Sequence, residues 1–496
     1  GSNLAATRVN KSQLIEKGRE NLILQSNQFD TTWVTPDSTI TGGQADRDGG
    51  TDAWLLTATN AFHRVVQPIS QSGVKRFSVY AKANVNDYLL LGCFEGAHYY
   101  ATFNLATGAV DSNNINAISP SIENVGNGWY RCSATWVGTT TDVRIASQTT
   151  GGQNGWASTT SGSIYIQDAQ LEQGLAATSV ITTGAGTVQA GLLENTPRLD
   201  YSGGATCPSL LLEPSRTNLV TNSEYFNSTT WSSYVFGGAS LTKTFGYTSP
   251  EGVDNAYKFD VVIGTGGVLF THNFTATASV DHTLSVWMKG EVGGEKVQID
   301  FKNTSSSGIT GSLLTLTNEW KRYDLTFTND TGTSRGFQFR MQQSSGLSDQ
   351  TIYVWGAQAE ANASYATSYI PTYGTTQTRA ADNTGAIDVS SLGVTTGYTL
   401  FYELGDFNVA FGGVWLAQAG GGDRPYQVYG ATAVIKTNSG DAYPFNHGTS
   451  GKGTGIKVAV NYDGTNINVF TNGTKRGTWA ANTSVWDALT DLDMNL

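Results

Sequence analysis

Four segments of this chain occur twice, in the same order. "NLILQSNQF" (21–29) returns as "NLVTNSEYF" (218–226), each followed within a few residues by a Trp. "FSVYAKA" (77–83) returns as "LSVWMKG" (284–290), and "GNGWYRCSATW" (126–136) as "TNEWKRYDLTF" (317–327). "IYIQDAQLEQGLAATSVITT" (164–183) returns as "IYVWGAQAEANASYATSYIPT" (352–372). Recurrence of this kind means one module encoded twice, and a repeat bounds the architecture before any local pattern is read. The copies span 21–183 and 218–376.

Each landmark alternates apolar and polar residues. Phe77, Val79 and Ala81 share one face of their segment, as do Tyr130, Cys132, Ala134 and Trp136 of theirs. A period of two bounded by Gly, Asn, Asp and Thr marks half-buried strands. The expected fold is therefore all-β, with each copy an antiparallel β-sandwich of jelly-roll type. From about Gly374 the pattern changes, and "GYTLFYEL" (397–404) reads as a strand. Asp463-Gly464 and Asn472-Gly473 predict type I′ hairpin turns, which need φ > 0 at both central residues. Residues 377–496 thus predict a third sandwich. With no closing strand evident before "DLDMNL", it is expected to be incomplete, or the natural chain to run on. The start at "GSNL" is expected to mark a processed or tagged chain, or a piece of a longer one. Helical pattern is confined to a turn or two in "KSQLIEK" (11–17) and "SVWDALTDLD" (484–493).

The net charge of −11, with no Lys/Arg run, offers no basic stripe for a phosphate backbone, so no nucleic-acid partner is expected. No apolar run approaches the ~18 residues of a membrane helix, so no membrane insertion is expected. Cys93 and Cys132 lie in apolar, strand-like contexts and are expected to be buried free thiols, a Cys93–Cys132 bridge being the alternative. Residues 184–217, punctuated by Pro197, Gly203, Gly204, Pro208 and Pro214, connect the copies, and "SLLLE" (209–213) is expected to pack against a neighbour. Residues 1–20 look like a shorter version of this connector.

"PRLDYSGGATCPSLLLEPSRTNLV" (197–220), the "AQ-x-E … ATSYIPT" ending and "TRAAD" (378–382) resemble motifs of bacteriophage tail and receptor-binding proteins. In that family they link carbohydrate-binding-module-like jelly rolls to concanavalin A-like (laminin G-like) sandwiches, and "KVAVNYDGTNINVFTNG" (457–473) is similar to paired strands of the latter. The resemblance implies a non-enzymatic virion surface protein of a phage tail, fibre or baseplate, made in the host cytoplasm and often trimeric. Its partners would be other virion proteins and bacterial cell-surface polysaccharide. The alternatives are a purely structural or decorating virion protein, and a fragment of a polysaccharide depolymerase.

Sugar recognition needs aromatic faces and amide or carboxylate groups on an accessible surface. The candidates are Trp33, His98, Tyr99, Tyr100 and Trp156 in the first copy, and Trp231, Tyr234 and Phe236 in the second. Trp33 and Trp231 recur at matching positions, as do Trp129 and Trp320, which favours packing for all four. "GAHYY" (96–100) and "GGQNGWAS" (151–158) have no counterpart in the second copy, and such loops tend to carry binding residues. "DRDGGTD" places Asp46, Asp48 and Asp52 like a loose calcium loop, and Asp168 falls where jelly-roll modules often hold a structural Ca²⁺; the second copy has Gly356 there. A Ca²⁺ in the first copy is one expectation, and polar turn residues the other. The five His are dispersed, without zinc spacing. Nucleotide and hydrolase fingerprints are absent. Glu172 and Glu360, shared in "AQ-x-E", read as polar residues that close the fold.

Overall fold

The computed structural model describes residues 3–112, 114–151, 160–193, 196–303, 309–388, 397–408, 414–415, 424–429, 432–436, 442–446, 452–481 and 491–495. These form two compact units: residues 2–196 with 217–379, and 197–216 with 380–496. The fold is all-β, in antiparallel sheets.

In the first copy, β1 (Thr7–Val9) and β2 (Ile15–Asn21) form the entry hairpin. Next come β3 (Ser38–Gln44), β4 (Ala53–Ala58), β5 (Val65–Ala83), β6 (Tyr88–Phe94), β7 (His98–Asn104) and β8 (Ala109–Val110). The copy continues with β9 (Ile118–Gly126), β10 (Trp129–Gln148), β11 (Ser163–Gln173) and the exit strand β12 (Val188–Gly191), which pairs back on β2. The connector holds the short pair β13 (Leu199–Asp200) and β14 (Ser209–Leu210). The second copy enters through β15 (Arg216–Asn218) and has β16 (Trp231–Phe236), β17 (Ser240–Tyr247), β18 (Ala256–Val262), β19 (Gly267–Thr275) and β20 (Asp281–Gly290). It closes with β21 (Lys296–Asn303), β22 (Ile309–Thr315), β23 (Lys321–Thr328), β24 (Ser334–Gln342), β25 (Gln350–Ala361) and β26 (Gln377–Arg379).

The copies share one strand plan. In the second, two five-stranded sheets run β16-β19-β24-β21-β22 and β17-β18-β25-β20-β23. In the first, β5 does the work of β19 and β20 in one continuous strand, and β10 that of β24 and β23, so the two sheets merge along a single order, β3-β4-β11-β5-β10-β6-β7-β8. Phe77, Val79, Ala81, Cys132, Ala134 and Trp136 form the inner face, as their alternation predicts. Cys93 and Cys132 are buried free thiols, whereas Cys207 is exposed.

A repeated polar clasp closes each sandwich. Asn21 donates to the carbonyls of Ala169 (3.2 Å) and Ile181 (2.8 Å) and accepts from the N–H groups of Ile23 and Leu171. Asn218 does the same with Ala357 (3.1 Å), Ile370 (2.8 Å), Val220 and Ala359. Gln170 and Gln358 each accept the N–H of the matching isoleucine at 2.7 Å. Glu172 and Glu360 take the N–H and hydroxyl of Thr178 and Thr367. The "AQ-x-E" carboxylates are thus fold-closing, as the sequence indicates. Trp33 and Trp231 are buried against Phe29 and Phe226, and each donates its indole N–H to a backbone carbonyl four residues before that Phe, Gln25 and Asn222 respectively.

The entry hairpin departs from expectation. Residues 15–21, within reach of the helical pattern at 11–17, are strand, because their partners lie far along the chain. Ile15 packs with Trp355 and Tyr369 of the second copy. Buried Lys17 meets Glu224 at 2.6 Å and Glu251 at 2.8 Å, and Arg19 meets Glu251 at 2.5 Å. Burial opposes the Glu251 carboxylate, but Arg19 and Lys17 hold its pKa below the usual value. Val74 N–H donates to the Tyr373 carbonyl at 3.0 Å, with Gly73 beside it at φ +85°, where a Cβ would collide with that same carbonyl. The two copies are therefore joined through their cores and not strung on a loose linker.

One buried histidine gives a pH prediction. Nε2 of His272 accepts the Thr221 N–H at 3.3 Å, which requires the neutral ring, and burial pushes its pKa down to about 4. The unfolded ring titrates at about 6.5, so between these values the unfolded state binds the extra proton and stability falls as pH is lowered, by about 1.4 kcal/mol per pH unit. In the first copy Gln67 Oε1 accepts the matching Leu24 N–H at 2.7 Å. His272→Gln should keep the fold and flatten this acid limb in denaturant titrations between pH 6.5 and 4; an unchanged limb would contradict the assignment.

In the other unit, Arg198 pairs with Glu213 (2.9 Å) and with Asp382, tying the connector to "TRAAD". Within "SLLLE", Leu210 is 38% exposed, Leu211 and Leu212 are half-buried and Glu213 is buried. The strands β27 (Asn383–Asp388), β28 (Tyr398–Asn408), β29 (Val414–Trp415), β30 (Arg424–Tyr429) and β31 (Thr432–Lys436) are followed by β32 (Ala442–Asn446), β33 (Lys452–Tyr462), β34 (Asn466–Thr471), β35 (Thr474–Ala480) and β36 (Asp491–Asn495). They form a six-stranded and a four-stranded sheet. β36 pairs with β27 and β29, so residues 491–493 of the second helical stretch are strand. Asn472-Gly473 makes the predicted two-residue turn, with both φ positive. The Asp463-Gly464 turn is longer, because Tyr462 faces Ile467 and Asp463 accepts the N–H groups of Thr465 and Asn466.

Candidate functional site

The strongest site is the outer face of the β16-β19-β24-β21-β22 sheet. Successive side chains of a strand point to opposite faces. Phe270, Phe339 and Ile299 are buried in the core, so their neighbours Leu269, Thr271, Gln338, Arg340, Gln298 and Asp300 belong to the other side. On the edge strand, Tyr234 lies opposite Leu269 and Phe236 opposite Gly267, which places both rings on that side too. Tyr234 is 65% exposed and Phe236 38%, with ring centroids 5.7 Å apart and planes inclined by 30°. They make a small apolar platform at the sheet edge.

Beside the platform runs a row of polar groups. Arg340 Nε donates to Asp300 at 2.6 Å, and Gln298 donates to the other carboxylate oxygen at 2.7 Å. Gln338 donates to the Thr271 hydroxyl at 2.7 Å and accepts from Arg340 at 3.3 Å. Gly311 faces Asp300 across β21 and β22, and a Cβ there would strike the carboxylate. The carboxylate offsets the guanidinium, so the row is close to neutral. Asp300 and Gln338 are fully buried and Thr271 nearly so, and they hold half-buried Arg340 and Gln298 as the accessible polar groups next to the aromatic surface, a composition suited to an uncharged, hydroxyl-rich ligand.

The same face of the first copy differs. Where Arg340 stands opposite Gln298, the first copy has Ala146 opposite Leu90, and these form a buried cluster with Tyr100. Tyr100 is 2% exposed, which corrects its reading as a surface contact: its backbone pairs with Ile115 and its ring fills this cluster. Tyr99 points into the main core and is half-buried, a second correction. His98 is exposed, edge-on to Phe94 at 5.2 Å and bonded to Arg144, which pairs with Asp142. Trp156 lies outside the described residues. The aromatic edge pair has no partner here, since after Trp33 only an isolated Val34–Val66 bridge replaces β16.

The calcium reading does not survive the geometry. Asp46 turns its carboxylate onto the N–H groups of Asp48 (2.8 Å), Gly50 (2.7 Å) and Asp52 (3.2 Å), making a self-contained turn. Asp168 is bonded by Arg47 at 2.6 Å; burial raises its pKa, and Arg47 opposes that rise. Asp48 is well exposed and Asp52 exposed, and among the described residues no three His, Cys, Asp or Glu are grouped to hold a metal. What Asp168 shares with Gly356 is conformation: both sit at a register shift in the closing strand with positive φ, 49° and 65°.

Sequence reasoning picked out Tyr234 and Phe236 but missed Gln298, Asp300, Gln338 and Arg340. Their signal was the polar half of "KVQIDFKN" and "RGFQFRMQ", visible only once the strands are paired.

No protein-family model matches the chain, and no curated protein matches it. Among solved structures it is similar to the carbohydrate-binding module CBM4, at 15% identity over 29% of this chain and 93% of that one, TM-score 0.23. It is similar to the tandem CBM22-1–CBM22-2 domain from Paenibacillus barcinonensis, at 12% identity over 69% of this chain and 97% of that one, TM-score 0.23. It is also similar to the enzymatically active domain of bacteriophage CBA120 tailspike protein 4, at 14% identity over 29% of this chain and 21% of that one, TM-score 0.24. Likenesses of this size say nothing about ligand or partner.

Proposed function

We propose that the protein binds an uncharged glycan of the bacterial cell surface on the outer sheet face of the second copy. The exposed Tyr234–Phe236 pair beside half-buried Arg340 and Gln298, which buried Asp300 and Gln338 hold in place, is the observation that carries this reading. In the reading that the phage-type motifs support, it is a non-enzymatic component of a tail, fibre or baseplate at the virion surface. A shallow face binds one sugar segment weakly, and a homotrimer would raise avidity through effective concentration. The purely structural reading draws on the Lys17 clasp, which suits a rigid spacer.

The test is binding of the full chain, tethered as a trimer, to a panel of bacterial surface polysaccharides. Loss of a contact aromatic costs about 1–3 kcal/mol, so Tyr234→Ala should weaken binding by about fivefold or more. EDTA should leave binding unchanged. Silence from the folded wild-type protein across the panel would favour the spacer.

A further inference from the structure

A cleft of about 570 Å³ lies between the two copies, away from the outer face described above. Its first wall is the middle of β5 and β10, where Gln71, Ser72 and Thr139 reach the surface. Its second wall comes from the chain leaving the second copy, with Thr375 and Gln377, and Gln173 from the closing strand of the first copy lies at the junction. Tyr373 and Pro371 supply apolar surface, with exposed Val137 at the rim. None of the lining side chains carries a formal charge.

The walls are braced from behind. Gly73 and Gly138 face each other across β5 and β10, and buried Lys75 donates to the carbonyls of both, at 3.3 and 3.0 Å. Lys75 is itself paired with Glu95 at 2.6 Å, which also accepts the Thr140 hydroxyl at 2.7 Å. The Val74–Tyr373 backbone bond and the Lys17 clasp hold the second wall against the first. A cleft of this volume with fixed walls is of the size that holds small ligands, and preformed walls reduce the ordering cost of binding.

We infer that this inter-copy cleft is a second binding site, for an uncharged hydroxyl-rich ligand such as the end or a short internal stretch of a neutral oligosaccharide. The amides of Gln71, Gln173 and Gln377 and the hydroxyls of Ser72, Thr139 and Thr375 are the groups that would meet sugar hydroxyls. This deepens the proposed glycan-binding function and rests on it for the ligand class. The clasp ties the two sites together, because it shapes one and fixes its distance from the other.

The experiment is titration calorimetry of the full chain with uncharged gluco-, galacto-, manno- and xylo-trisaccharides to hexasaccharides, and with a galacturonate trisaccharide as the charged control. Thr139→Trp fills the cleft from an exposed position, and Gln173→Ala with Gln377→Ala removes two amides without adding bulk. An uncharged oligosaccharide should bind, the galacturonate should not, and both cleft variants should lose at least tenfold in affinity while Tyr234→Ala keeps that site. Binding abolished by Tyr234→Ala and untouched by the cleft variants would overturn the cleft and leave the outer face standing. Absence of binding to every uncharged probe, with the wild-type chain folded, would overturn the cleft. Tethered-trimer binding to a whole polysaccharide would then show whether the outer-face reading survives alone.

Discussion

Replacing Lys17 by Met should be among the most damaging single changes in the protein. Lys17 Nζ contacts Glu224, Glu251 and the Tyr373 hydroxyl (3.2 Å), and lies 5.4 Å from the Trp355 ring centre. Removing it leaves Arg19 to balance Glu251, while Glu224 keeps only neutral donors, Asn255 at 3.1 Å and Tyr369 at 2.9 Å. A buried carboxylate stripped of its cation costs about 3–5 kcal/mol. Denaturant unfolding followed by Trp fluorescence should show that loss in the transition of residues 2–196 with 217–379, and Glu224→Gln added to Lys17→Met should recover part of it. A loss below about 1 kcal/mol would mean that the clasp does not join the copies, since surface pairs are worth that little.

Asn218→Ala should come close to the same size. The side chain satisfies two buried N–H groups and two buried carbonyls, and each group left unpaired costs about 1–3 kcal/mol. We expect a total on the order of 3–5 kcal/mol, allowing for partial relaxation. Asn21→Ala should cost a similar amount, because its four bonds match one for one. Equal losses measured by calorimetry or denaturation would establish the two clasps as one device; a neutral Asn218→Ala would contradict it.

Much of this architecture is legible in the sequence because it was written twice. The shared "NL", "AQ-x-E" and "T-x-x-I-x-T" positions are those whose bonds close each sandwich, so repetition itself marks them as structural. Alternation likewise places Phe77, Val79 and Cys132 in the core. Long-range chemistry is what stayed hidden. The strand at 15–21 owes its form to Glu224, Glu251 and Trp355, all more than two hundred residues away in sequence. Asp168 read as a ligand because its residue type suggests chemistry, whereas its position demands a left-handed φ that Gly356 also meets. The polar row of the outer face was silent for another reason. Gln298, Asp300, Gln338 and Arg340 look like ordinary outward residues of alternating strands until β21 is set beside β24 and Tyr234 beside Leu269. Tyr100 failed in the opposite sense: an aromatic in a polar segment, it is drawn under by Leu90 and Ala146.

The most direct test of the outer face is hydrogen exchange of the full chain, with and without a polysaccharide selected from the binding panel. Bound glycan should slow exchange in 231–236 and 267–273, and in 336–342 beside them, with the equivalent first-copy stretches, 65–71 of β5 and 142–148 of β10, unchanged. Protection confined to the first copy or to residues 380–496, with 231–236 exchanging as before, would contradict the assignment of the glycan to this face.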